Sequence, residues 1–423
     1  MGAFSVWGRL SPPARRGLLV HALQWQAVQV GSLFTSVYLF RLGGGYRLPA
    51  LYALFSYAAV PAGYWLAAHL ARTRGSGAAL RSGLAVFALA QALVLGLGTG
   101  AADWVLPLGL LWGLGVGLYW QAWVLLIVDL TDEHEDRDRM LGANQACYFI
   151  AGLSGVPLAG AWITWAGGTR GYGAVFAAVL ALFVAAWWLS LPLAGRPQHG
   201  SSALGRLLRA RKPAGWAAGM WSAVATGLLS VGSQFLPMLL SYDVGGDEGH
   251  GGVYTAFTAF AGFVTASLVA RLGHPERRGA LVGWSALAVC LLTLPLALLR
   301  SYSMVLVYGL GMAVSMSVYN MPLFAAQIRI IEADRHFRHR RGDALFLREL
   351  PLAAGRITAC AAVLWGAAWR GGAGMSVLLG VLAATPLLCY AVLRDHLSGP
   401  RAISDIAPAP SGVQNVARGR SNP

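Results

Sequence analysis

Arg356 is the only Arg or Lys set more than one helical turn inside one of this chain's long apolar stretches, residues 350–369, where a charge needs a partner or a route to water. At 1.5 Å per helical residue it lies about 9 Å from the polar edge of that stretch. It could snorkel to that edge, pair with Glu349, or reach Asp129 at the end of another stretch and make a gating salt bridge. The other chemistry-bearing side chains in the apolar stretches are uncharged. Gln29, Gln234, Tyr319 and Asn320 can hydrogen-bond, and Trp25, Trp120 and Trp123 offer rings for stacking. Such groups either recognise a solute or bond helix to helix, and for the glutamines and Asn320 both readings stand open. No Asp or Glu sits mid-stretch, and Asp103 and His21 lie near rims, so no obvious protonation switch is present.

The elements that must position these residues are read from hydropathy. The 423 residues are 57% hydrophobic and 12% charged, with a mean hydropathy of +0.57. A helix needs roughly 20 apolar residues to cross a bilayer. Stretches of that length occur at 17–40, 46–71, 78–99, 104–129, 142–166, 172–194, 214–240, 253–270, 280–299, 303–328, 350–369 and 375–394. Of the 32 Lys and Arg, 26 fall in alternate gaps and five (Arg41, Arg47, Arg170, Arg300, Arg370) in the others. That is the positive-inside pattern, so the net charge of +15 encodes topology and both termini are expected in the cytoplasm. A nucleic-acid binder would gather its arginines on one face.

The expectation is an all-α polytopic membrane protein of about twelve transmembrane helices in two pseudo-symmetric six-helix halves. Residues 1–16 form a cytoplasmic N-terminus, 17–194 one half, 195–213 a cytoplasmic loop, 214–394 the other half, and 395–423 a disordered tail. No cleavable leader is evident, since 17–40 is too long for one. Cys147, Cys290, Cys360 and Cys389 lie apart within spans and read as small hydrophobes. Trp104, Trp165, Trp216 and Trp369 sit at span ends as interfacial anchors. Residues 242–252, with Asp243, Asp247, Glu248 and His250, read as a solvated external loop and not as a metal site. The neighbourhoods after the fourth and tenth spans resemble each other: Tyr119-Trp120-Gln121 then Arg137-Asp138-Arg139, and Tyr319-Asn320-Met321 then Arg340-Arg341-Gly342-Asp343. Two homologous halves leave such a repeat.

Six plus six spans, internal termini and a basic central loop resemble the major facilitator superfamily of secondary transporters. Glu135-Asp136-Arg137-Asp138-Arg139-Met140-Leu141-Gly142 is similar to the family's acidic, Arg-x-Arg, Leu-Gly stretch. Gly152, Pro157 and Gly160 match the Gly/Pro-rich fifth-span motif of its antiporters, while Val156 and Ala161 replace glycines. Between the second and third spans, Gly75 is kept but Arg72 stands where the family carries Asp. Residues 107–128 lack the fourth-span arginine of many proton antiporters. The resemblance implies that spans one, four, seven and ten line a central cavity and that the protein works as a monomer. It also implies conformational roles for Arg137, Arg139, Gly152, Pro157 and Gly160, beside the gating pair read from charge alone for Asp129 and Arg356.

The polar and aromatic stripes agree with that lining: Trp25, Gln29, Ser32 and Ser36; Trp112, Tyr119, Gln121 and Trp123; Thr226, Ser230, Ser233 and Gln234; Met312, Ser315, Tyr319 and Asn320. Pro237 would kink the seventh span or free a carbonyl there. The functional expectation is a non-enzymatic transporter of a small neutral or amphiphilic solute, working by alternating access and preferring export, with Trp25, Gln29, Trp120, Trp123, Gln234, Tyr319 and Asn320 at its site. A nutrient importer, a lipid flippase and a non-transporting sensor are the alternatives. The partners are a small solute and the bilayer, with a coupling proton left open; no cofactor, metal or nucleic acid is expected. The expected location is a bacterial cytoplasmic membrane.

Overall fold

In the computed structural model, residues 10–131, 134–195, 215–272, 278–299, 301–332, 341–368 and 373–397 are described. The central connection, the C-terminal tail and Trp369 lie outside them. The helices are α1 (Pro12–Gly43), α2 (Arg47–Arg74), α3 (Ser76–Leu97), α4 (Val105–Leu130), α5 (His134–Ala166) and α6 (Gly168–Ser190). The second half holds α7 (Trp216–Ser230, a π turn Val231–Phe235, then Leu236–Gly245), α8 (Glu248–Leu272), α9 (Arg278–Leu298), α10 (Tyr302–Glu332), α11 (Arg341–Ala368) and α12 (Ala373–Leu397).

Nine of these helices are long and apolar enough to cross a membrane, judged on the described residues. Helix α1 falls short because it carries Gln24, Gln26 and Gln29. Large apolar side chains point outward, among them Leu158, Trp165, Trp188, Trp284 and Leu298. In water that surface would be costly, so its solvent is lipid, and the chain is an integral, multi-pass membrane protein. Helices α5 and α11 begin eight and nine residues before the apolar stretches at 142 and 350. Helix persists through polar sequence because its backbone bonds are internal, whereas hydropathy marks only the apolar part.

The packing repeats between halves. In the first half α2 packs on α4, α3 on α4 and α6, and α1 on α5 and α6; in the second α8 packs on α10, α9 on α10 and α12, and α7 on α11 and α12. The halves meet along α5–α8 and α2–α11, which exchange under the same pseudo-two-fold. Close helix approach depends on glycine. A Cβ at Gly113 would collide with the Ser56 carbonyl and one at Gly117 with the Val60 carbonyl, joining α4 to α2. Gly227 and Gly355 join α7 to α11 in the same way. Small residues spaced by four allow this contact in lipid, where packing and hydrogen bonds hold helices together.

The π turn of α7 follows from Pro237. Proline has no N–H to give, so the ladder widens: Leu236 N–H bonds Val231 O, and the Gly232 carbonyl loses its partner. The Tyr308 hydroxyl of α10 donates to that carbonyl at 2.9 Å. Tyr308→Phe removes the donor and is expected to cost about 1–3 kcal/mol, the penalty for a buried unpaired carbonyl, read as a lower unfolding temperature in detergent. An unchanged temperature would mean that the freed carbonyl needs no protein partner.

Candidate functional site

On the inner face of the first half, α1, α4 and α5 bring aromatic rings together. Trp25 makes edge contacts with Trp120 at 5.1 Å and with Tyr148 at 4.9 Å. All three rings are half-buried, and Gln29, one turn along α1, bonds the Tyr148 hydroxyl. Gln29 also borders Gly152, which lies against Ala259 of α8. The patch therefore opens beside the seam between halves, with rings for an apolar body and an amide for a polar one.

Beneath the patch the same helices form solid core. His21 stacks on Trp123 at 4.0 Å with its ring 3° from parallel, and its Nδ1 shares a 2.9 Å hydrogen bond with the Tyr119 hydroxyl. Trp123 Nε1 donates to Asn144 Oδ1 at 2.9 Å. Trp123 is 1% exposed, so no face of its ring remains for a solute. Tyr319 is equally enclosed; its hydroxyl donates to the Pro386 carbonyl, tying α10 to α12. These two residues, expected to contact solute, instead hold helices. His21, read as lying near a rim, is fully buried in this stack. The side chains of Gln234, Asn320 and Arg137 lie outside the described residues.

Two polar layers cross between the halves. At the end away from the basic loops, Arg41 Nη1 donates to Glu248 Oε1 at 3.0 Å, and the Tyr172 hydroxyl donates to the same oxygen at 2.7 Å. The Tyr46 hydroxyl donates to Asp243 at 2.6 Å, Phe40 meets Tyr242 at 5.6 Å, and Gly249 N–H donates to Thr164 at 3.1 Å. Glu248 is 5% exposed. Residues 242–252 are thus no solvated loop: they are helical over most of their length and close one end of the bundle. Asp247 precedes α8 and accepts from His250 N–H at 2.9 Å. Burial would raise its carboxyl, but the His250 backbone and ring hydrogen bonds outweigh burial and hold it below the ordinary carboxylate range. The signal for this seal was the rarity of charge at that end, where Arg41 and Glu248 are among the few candidates to pair.

At the basic end Arg72 Nη1 reaches Asp343 Oδ1 of the other half at 3.4 Å. Asp129 accepts from Ser76 Oγ at 2.5 Å, and Arg139 is half-buried in α5. Arg356 does not engage Asp129; it pairs with Glu349, two turns earlier on the same face of α11, at 2.7 Å. The fifth-span residues Gly152, Pro157 and Gly160 all lie on the α5–α8 seam, against Ala259, Gly252 and the Glu248 carbonyl.

With this two-fold helix order on hand, the sequence profile described as Major Facilitator Superfamily matches residues 17–335. The chain belongs to the major facilitator superfamily. This facilitator is 26% identical over 390 residues to the "Uncharacterized protein YqgE" of Bacillus subtilis, covering 89% of this chain and 88% of that protein. It is 34% identical over 155 residues to an "Uncharacterized protein in sodM 3'region" of Geobacillus stearothermophilus, covering 37% of this chain and 72% of the other. Its fold is shared with a peptide transporter, POT, solved with sulfate, at a TM-score of 0.68 and 14% identity, covering 94% of this chain and 99% of that one. The nucleoside transporter NupG superposes at 0.67 and 12% identity, covering 91% and 99%. A secondary transporter is the activity class this membership supports.

In the facilitator's second half, helix α11 starts at Arg341, so Glu349 and Arg356 both lie within one helix. Glu349 is 3% exposed.

Proposed function

We propose that this facilitator moves an amphiphilic solute across the cytoplasmic membrane by alternating access, with the basic end facing the cytoplasm. The half-buried Trp25–Trp120–Tyr148 patch beside Gln29 carries this reading. Partly exposed aromatic rings facing an inter-half seam suit a solute with an apolar or aromatic body and a polar end. The Arg41–Glu248–Tyr172 seal closes the far end in this state and must open in the other. Export is the direction we favour, from the Gly/Pro run of α5 that forms the α5–α8 seam.

The test is uptake by protein-containing liposomes across a panel of aromatic alcohols and amphiphiles. Trp120→Ala is expected to weaken apparent affinity for any transported member by about tenfold, from lost stacking and burial. A panel in which no member crosses faster than in protein-free liposomes would remove the reading.

A further inference from the structure

Glu248 and Glu349 are the two buried carboxylates among the described residues. Glu349 pairs with Arg356 of its own helix, so that bond does not cross between the halves. Glu248 is placed differently. It opens α8, and both of its bonds, from Arg41 of α1 and Tyr172 of α6, run from one half to the other. The two bonds also share one oxygen. Arg41 Nη1 and the Tyr172 hydroxyl both donate to Oε1, while Oε2 accepts no hydrogen bond among the described residues. A pair built for stability alone would set the guanidinium fork across both oxygens. The fully covered polar atoms that lack a partner belong to other residues, among them Gln24, Gln91 and Thr35, so Oε2 retains contact with solvent. That solvent is the water at the far end, because the Arg41 side chain is 47% exposed and the neighbouring Tyr46–Asp243 bond is exposed as well.

We propose that Glu248 Oε2 is a proton-binding site facing the far side, and that a proton bound there opens this end of the bundle. The proton removes the charge on which the Arg41 and Tyr172 bonds rest, so binding and opening favour each other. This rests on the transporter reading above and adds a control to it: acid on the far side shifts the halves towards the state open to that side. The other charged and titratable groups of the layer are Tyr46 ahead of α2, Tyr242 and Asp243 of α7, and Asp247 with His250 at the start of α8, whose ring meets Tyr302 of α10. Helix α5 brings only Thr164, on Gly249 N–H, and Gly160, against the Glu248 carbonyl. Asp243 accepts from Tyr46 and Asp247 from His250, so each of these acids has a partner of its own and neither bonds Arg41.

The experiment uses the full-length protein in lipid nanodiscs, lacking the four native cysteines and spin-labelled at Arg170→Cys and Ser301→Cys, one in each half at the far end. Distances are measured between about pH 8 and about pH 4, a range that spans the ordinary glutamate titration. The longer-distance population is expected to rise about tenfold on acidification. Glu248→Gln imitates the protonated carboxyl and is expected to hold one raised population at every pH. Tyr172→Phe removes a bond but keeps the carboxylate, so its longer population should start higher and still climb with acid. That contrast separates a lost proton site from a merely weakened seal. His250→Gln and Asp247→Asn are expected to respond as the wild type does. A wild-type distribution that ignores pH overturns the proposal, as does a Glu248→Gln protein that follows pH like the wild type. Loss of the response in His250→Gln or Asp247→Asn overturns it too, since the proton would then bind there. Two populations with no pH dependence would sink this inference and leave the alternating transporter standing; one population in every variant would count against both.

Discussion

Gly117→Leu is expected to leave little folded protein, with Gly113→Leu close behind. A Cβ at either position meets backbone, the Val60 carbonyl and Gly63 Cα in one case and the Ser56 carbonyl in the other. A side chain can rotate away from a new neighbour, but a helix backbone moves only with its whole turn. The cost should exceed the ~1–3 kcal/mol usual for overpacking, because α2 and α4 must separate along their length. Gly96→Leu supplies the contrast. Nothing lies within 4 Å of a Cβ there, and the substitution removes a glycine from the helix, worth about 0.8 kcal/mol in its favour. Tryptophan-fluorescence melting and the monodisperse fraction on size exclusion should separate the two classes. Equal behaviour of Gly96→Leu and Gly117→Leu would mean that the α2–α4 seam is looser than its geometry.

Glu248→Gln is expected to loosen the far-end seal with little change in fold. The amide keeps the shape and can still accept from Arg41 and Tyr172, so the loss is the charge on those two bonds. Hydrogen bonds to charged groups exceed neutral ones by about 1 kcal/mol each, which predicts a shift of roughly 2 kcal/mol in total. At 1.4 kcal/mol per decade, the far end should open about 30-fold more often. Ser32→Cys, in a background lacking Cys147, Cys290, Cys360 and Cys389, reports this opening through its labelling rate with an impermeant maleimide. Ser32 is half-buried on α1, below the seal. Labelling no faster than in the parent would show that other contacts hold the end closed.

How far the sequence reached is clearest from individual residues. Hydropathy places most helices within a few residues, since length and apolar content are properties of a single segment. It misplaced the starts of α5 and α11 because a helix continues where its apolar face ends. Face assignment was harder. Trp120 and Trp123 are three residues apart on α4, yet one ring is half-open beside Trp25 and the other sealed under His21. Periodicity gives a stripe but not the neighbour that covers it. The Arg41–Glu248 bond joins residues 207 apart in the chain, and its partners become visible only when the halves are set face to face.

The central claim is that the halves alternate about the site, opening and closing the far end. Spin labels at Arg170→Cys of α6 and Ser301→Cys beside α10, both exposed at that end, would report it directly by electron–electron distance measurement in lipid nanodiscs. Two distance populations are expected, with the longer one enriched by Glu248→Gln. A single distance distribution, unchanged by that substitution, would contradict alternating access at this seal.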